Sequence, residues 1–355
     1  MNNNSTLDKS FKPNIFKRIF TPNTVTMALI VAAYVAIYFY IESGNAGRQF
    51  TNMLTSVSCY IVLAVSLNLV VGMLGELSLG HAGFMSAGLF SGCLLSIALE
   101  PVLPLEVRLP ICMVVGGLFA AVVGFVVGLP ALRLKGDYLA IVTLGCGEII
   151  KNVITNLEFT GGALGLNTIA IYKKADVLLP FSAVLVFLTV LVVMNIKNSR
   201  HGRAIMAIRD NRIAAEATGI NVTYYKLIVF IIAAFFAGMA GVLYGHSLAN
   251  IKATTFDYNM SIEVLVIVVL GGMGSIPGSI IAAIILRALP EALRELADYR
   301  MLAYSIVLIV LMLLNANPKF ADLKGRMSIK NIIARSKELK AQKKSGENTG
   351  AKEGK

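Results

Sequence analysis

The sequence predicts an all-α polytopic membrane protein of about ten transmembrane helices, some short or broken. Three observations carry the prediction. The 355-residue chain is 56% hydrophobic and only 15% charged, whereas soluble domains run near ~45–50% apolar and ~25% charged. Its apolar residues fall in long uninterrupted runs, and ~20 such residues span the hydrocarbon core. Its charge surplus of +12 sits almost entirely in three polar segments, which orients the runs.

The elements follow in order. The tail 1–23 carries Lys9, Lys12, Lys17 and Arg18 against Asp8. The first apolar run, 25–41, is long for a signal-peptide core. Gly44-Asn45-Ala46 imitates a cleavage site, but an uncleaved first span is expected. Apolar segments follow at 51–72, 80–99, 108–128, 138–157 and 177–196. The polar segment 197–223 then sets Lys197, Arg200, Arg203, Arg209 and Arg212 against Asp210 and Glu216. Further apolar segments lie at 224–246, 256–272, 276–292 and 300–315. The tail 317–355 holds eleven basic and four acidic residues. Basic residues collect on the cytoplasmic face of a membrane protein, so both tails and 197–223 are placed inside. This divides the chain into tail 1–23, transmembrane domain 24–316 and tail 317–355. Loops near 42–50, 98–107, 158–176 and 247–255 then fall outside. A charge excess distributed in this way is not a nucleic-acid footprint. The C-terminal tail, with a weak stripe of Ile329, Ile332 and Ile333, either lies on anionic membrane lipid or is a solvated tail.

Ser261 to Leu289 needs separate treatment. As one straight helix it would be ~44 Å long, against a core of ~30 Å. Gly271-Gly272-Met273-Gly274-Ser275-Ile276-Pro277-Gly278 interrupts it and cannot continue a helix. Two short or tilted crossings joined by a Gly-rich turn keep the basic tail inside; a re-entrant pair of half-helices is the alternative. A second break runs from Gly72 through Gly75 and Gly80 to Gly83. Backbone interrupted at membrane depth must be satisfied inside the protein or line a cavity, so paired breaks point to a transport path. Close helix packing on small residues is the plainer reading.

Catalytic motifs are missing. Gly75 to Gly80 has the glycine spacing of a phosphate-binding loop, but His81 stands where its lysine would be required. This chain is therefore not expected to be an enzyme, and no bound cofactor or metal is expected on it. Cys59, Cys93, Cys112 and Cys146 lie in apolar stretches and read as small buried residues. Glu148 lies mid-segment, with Lys151 and Asn152 on the same helix face. It is either a functional intramembrane carboxylate, the proton site of a secondary transporter, or a structural partner of Lys151. Glu76 is expected at the cytoplasmic surface and Glu263 at the outer interface.

Residues 199–220 read as a short helix with Ser199 as N-cap. Ile205 and Ile208 share a face, Arg203, Arg209, Asp210 and Arg212 are polar, and Gly219 is the stop. A charged loop with an apolar helical face is built to dock on another protein, or to lie on the bilayer.

That segment resembles the coupling loop of ABC importer permeases; Ala215-Glu216-Ala217 followed by Gly219 looks like a degenerate form of their E-A-A…G motif. The chain is more closely similar to LivM-type permease subunits of branched-chain amino-acid ABC importers. The resemblance rests on Asn68 to Gly72 followed by Leu77 to Phe84, on Asp137 to Leu144, on Thr160-Gly161-Gly162 with Gly165-Leu166, on Arg203 to Gly219, and on Val269 to Gly274. It implies a type II importer-like permease in the bacterial cytoplasmic (inner) membrane. The implied partners are a second, LivH-like permease, two ABC ATPase subunits carrying ATP and Mg, and a periplasmic or lipid-anchored substrate-binding protein. The coupling role falls on Gly202, Arg203, Ile205, Ile208, Arg209, Asp210, Glu216 and Gly219. The pathway role falls on Asn68, Ser78, His81, Gly271, Gly272 and Gly274, with Glu148 added from its position. Branched-chain amino acids are the implied substrate; urea or short amides are the alternative. Glu76 departs from the family, which commonly has a neutral residue there.

Overall fold

The computed structural model describes residues 22–43, 47–134, 136–173 and 175–292, with 299, 302, 305–310 and 313. The tails expected at 1–23 and 317–355 lie outside these residues, apart from Pro22 and Asn23. The tenth apolar segment is described only at positions that are helical. By contact the chain divides into residues 31–312 and a second unit of 1–30 with 313–355. Every contact below lies within the first.

The helices are α1 (Pro22–Glu42), α2 (Arg48–Asn68), α3 (His81–Leu99), α4 (Leu105–Ala131), α5 (Asp137–Asn156), α6 (Ala175–Asn198), α7 (Arg200–Asp210), α8 (Arg212–Ala217), α9 (Val222–His246), α10 (Tyr258–Gly271) and α11 (Ile276–Ala292). Among the described residues seven helices are long and apolar enough to cross a membrane, and two shorter apolar stretches lie at Thr26–Ile41 and Ile276–Pro290. They match the apolar runs of the sequence closely. Among the described residues strand structure is limited to β1 (Leu166–Asn167) and β2 (Asn250–Ile251), paired antiparallel. Thr168 Oγ1 donates to the Leu248 carbonyl at 2.6 Å, and the Lys173 N–H to the His246 carbonyl at 3.0 Å. These bonds bring the two long loops 158–173 and 247–257 together at one end, as the alternation of segments requires.

Helix α2 is the centre of the unit. From Val57 on, it and the segment that follows to Leu74 are buried, and α6, α9, α10 and α11 pack on it. A helix that is apolar all round belongs in such a place. On one side, α9 also packs on α3 and α4. Glycine permits the close approach there: a Cβ on Gly88 would stand 2.8 Å from the Gly238 carbonyl carbon. Without water between helices, such backbone proximity and dispersion supply much of the association. Helix α5 is largely uncovered, with Tyr138, Ile141, Ile149 and Val153 exposed. Cys59, Cys93 and Cys112 are buried, Cys146 is half-buried, and all four are free.

Candidate translocation and coupling site

The expected breaks are real, and they meet. Past Asn68 the α2 backbone continues as a π-helix over Leu69–Leu74 and stops at Gly75, whose φ is 79°. A π segment inserts an extra residue per turn and is often found at functional sites. Helices α10 and α11 are joined by a tight turn in which Gly272 and Gly274 take φ of 89° and 79°, a conformation glycine adopts without a steric penalty. Buried Asn68 bridges the two breaks. Its Oδ1 accepts from the Gly274 N–H at 2.8 Å, and its Nδ2 donates to Ser279 Oγ at 2.9 Å. Gly72 lies against the same turn: a Cβ there would stand 2.9 Å from Gly274 Cα. Gly271 faces the start of α11, where a Cβ would meet Ser279 Cα at 2.6 Å. Asn68, Gly271, Gly272 and Gly274 thus lie together at one place.

Two cations of the polar segment reach this site. Lys197 Nζ donates to the Gly274 carbonyl at 2.7 Å, and Arg209 Nη1 to the Gly72 carbonyl at 3.1 Å. Each is a charge-assisted bond to a carbonyl freed by a break in the helix. The Gly-rich turns therefore lie at the same end of the unit as the polar segment. At that end Lys226, 2% exposed, pairs with Glu76. This pair gives Glu76 a structural role: it neutralises a buried lysine in the second turn of α9.

The polar segment itself differs from the single helix expected. Ser199 does cap α7, its Oγ accepting from the Gly202 N–H at 3.1 Å. Gly219 does end the segment with φ of 84°, while the Ile220 N–H closes on the Ala215 carbonyl at 3.1 Å. Between them the helix breaks at Asn211, whose backbone is extended and whose Oδ1 caps α8 through the Ala214 N–H at 3.0 Å. The apolar face also goes elsewhere than expected. Ile205 and Ile208 are buried within this chain, where α7 packs on α6, α9 and the π-helix, so they are not free to dock. Gly202 turns against the Lys197 carbonyl, where a Cβ would come within 2.7 Å. What remains outward is Arg200, His201, Arg203, part of Arg209, Asp210 and most of α8. Ile213 is 80% exposed, and Arg212 Nε bonds Glu216 Oε1 at 2.9 Å across one turn. Ile213 was missed because its apolar neighbours Ile205 and Ile208 suggested one continuous stripe.

Among the described residues no hydrogen bond joins the other expected pathway residues to this turn. Buried His81 opens α3, with Nε2 2.9 Å from Ser66 Oγ on α2. Buried Ser78 precedes it, and its Oγ has no hydrogen-bond partner among the described residues. Nearby, the Leu79 N–H donates to Thr143 Oγ1 at 3.0 Å, and a Cβ on Gly83 would lie 2.8 Å from Gly147 Cα. Glu148 is separate from both groups. It pairs with Lys151 and its Oε1 accepts from the Tyr258 N–H at 3.0 Å, at the start of α10. The Glu148–Lys151 pair expected from their spacing is present. Glu263 lies in the second turn of α10 and contacts Arg287 Nη1 of α11 at 3.5 Å.

A family profile described as "Branched-chain amino acid transport system / permease component" matches residues 49–316. The chain belongs to this family. It is 34% identical over 318 residues to the high-affinity branched-chain amino acid transport system permease protein LivM of Salmonella typhimurium, covering 81% of this chain and 72% of that one. It is 32% identical over 343 residues to LivM of Escherichia coli K12, covering 88% and 78%. It is also 23% identical over 290 residues to the Salmonella typhimurium permease LivH, covering 75% and 93%. No solved structure matches it significantly. The matched range 49–316 contains the π-helix, the α10–α11 turn and the whole polar segment, so the site described above belongs to the family's permease and not to an appended domain. A multi-pass membrane permease is what the family and the apolar helices together establish.

Proposed function

We propose that this chain is the permease subunit of an ATP-driven ABC importer for branched-chain, hydrophobic amino acids, forming half of the translocation path with a LivH-like partner. The observation that carries the reading is the pair of bonds from Lys197 and Arg209 to Gly274 and Gly72. They join a protruding polar segment to both helix breaks. A partner that moves α8 moves α7 across Asn211, and α7 is fastened to Gly72 by Arg209. Displacement at the surface is thereby delivered to the backbone turns around Asn68. Two ATPase subunits carrying ATP and Mg are the partners such a device needs, and a periplasmic or lipid-anchored binding protein supplies substrate from the other end. The amino-acid substrate is taken from the names of the LivM and LivH relatives.

On this reading the chain resides in the bacterial inner membrane in a type II arrangement, with both termini cytoplasmic and ten crossings. Supporting it, the α10–α11 turn sits at the end of Lys197 and Arg209, as two short crossings require. The transmembrane domain is 24–316, flanked by tails 1–23 and 317–355, with the coupling loop at 197–223. Within the loop, Gly202, Ile205, Ile208 and Arg209 transmit, whereas Arg203, Asp210, Glu216 and Gly219 lie on the docking side with Ile213.

Ile213→Glu tests the assignment, because the exposed side chain is not part of the core. The variant should insert and purify like the wild type, lose co-purifying ATPase, and lose uptake by about tenfold or more, as for removal of an apolar docking anchor. Wild-type uptake by this variant would sink the proposal that α8 is the docking surface.

A further inference from the structure

Mid-membrane charges are expensive and are normally kept off lipid. This chain has an acid–base pair within two apolar helices that the coupling site does not use. Glu263 of α10 and Arg287 of α11 converge on Ser56 and Tyr60, which flank the midpoint of α2. Glu263 lies ~12 Å and Arg287 ~16 Å along their helices from the Gly-rich turn. Tyr60 OH donates to Glu263 Oε2 at 3.2 Å, and Arg287 Nε donates to Ser56 Oγ at 3.0 Å. The Arg287 guanidinium lies over the Tyr60 ring, 4.2 Å from its centroid.

The pair is held firmly but engaged loosely. Ser56 and Tyr60 fix the guanidinium plane, yet its contact with Glu263 is one long approach of 3.5 Å rather than a two-pronged fork at ~2.8 Å. Both side chains remain partly open, Arg287 at 29% and Glu263 at 28%. A charged, partly open flank on apolar helices is costly against lipid and is best matched by a polar path or another subunit.

We infer that Arg287 and Glu263 form the recognition site for the zwitterionic head of the transported amino acid, the guanidinium taking its α-carboxylate and the Glu263 carboxylate its ammonium. Tyr60 and Ser56 are positioning residues that hold the two charges apart and in plane. The site selects α-amino acids as a class, since it offers one positive and one negative partner at neighbouring points. It rests on the importer reading above, and it places recognition about two helical turns deeper than the coupling site.

The test is the double variant E263Q/R287Q in the complete importer, reconstituted with its binding protein and assayed with radiolabelled leucine. Removing both charges leaves no unpaired ion, so a mere strut is relieved by it. The expected result is an assembled complex with binding-protein-stimulated ATP hydrolysis, in which leucine uptake falls at least about tenfold, the least that loss of one charge-assisted hydrogen bond implies. Uptake at the wild-type level overturns the inference and makes the pair a strut. If the double variant does not assemble, R287K decides. Lysine keeps the charge but loses the planar fork, so uptake should fall with assembly intact, and undiminished uptake again overturns the inference. A wild-type complex that moves no leucine would end the importer reading and this inference with it. A wild type that moves leucine beside an equally active double variant ends this inference alone.

Discussion

Asn68→Leu strikes the bridge between the two helix breaks with little change of volume. It removes the acceptor for the Gly274 N–H and the donor to Ser279 Oγ. The Ser279 hydroxyl keeps its bond to the Ser275 carbonyl at 3.2 Å, so the Gly274 N–H is the group left stranded. An unpaired buried donor costs about 1–3 kcal/mol. Gly274 is only half-buried, which puts the expectation near the lower half, about 1–2 kcal/mol. That is a loosening of the α10–α11 turn by about 5- to 30-fold. Hydrogen exchange read by mass spectrometry reports it directly: the peptide covering residues 270–280 should exchange faster by that factor, while the body of α9 is unchanged. Gly72→Ala crowds the same contact, so the double variant should loosen the turn by less than the two effects combined. Exchange at 270–280 that stays within about twofold of wild type would refute the bridge, since one lost hydrogen bond predicts more.

Two further outcomes follow from the packing. Lys226→Met leaves Glu76 without its buried partner and should lower stability in detergent by about 3–5 kcal/mol, while the neutral double K226M/E76Q should recover most of it; thermal unfolding of the purified chain separates the two. Gly83→Val forces α3 away from Gly147 and should cost about 1–3 kcal/mol by overpacking, seen as a lowered unfolding temperature.

The helices were legible because lipid demands long apolar runs, and those runs are bounded by Gly, Pro and charge. Ser199 and Gly219 were legible as caps for the same local reason. The break at Asn211 was not, although an Asn two residues before Ile213 is a possible N-cap, because a continuous amphipathic stripe described Arg200 to Ala217 equally well. The fate of Ile205 and Ile208 depended on which neighbours cover them, and periodicity does not carry that information. Contacts between distant segments stayed hidden altogether. Asn68 with Gly274, Glu76 with Lys226, and Glu263 with Arg287 are joined by folding, not by spacing. Glu148 shows the converse: its i+3 partner Lys151 was readable, but its bond to the Tyr258 N–H at the start of α10 was not.

The account stands on the claim that this permease works only inside an importer, with force arriving through residues 197–223. Purification of the tagged chain from its native membrane in mild detergent, with mass spectrometry of what accompanies it, tests that most directly. The account predicts a LivH-like permease and two ATPase subunits in the same particle. A chain that emerges alone, under conditions in which known importer complexes stay whole, would contradict it.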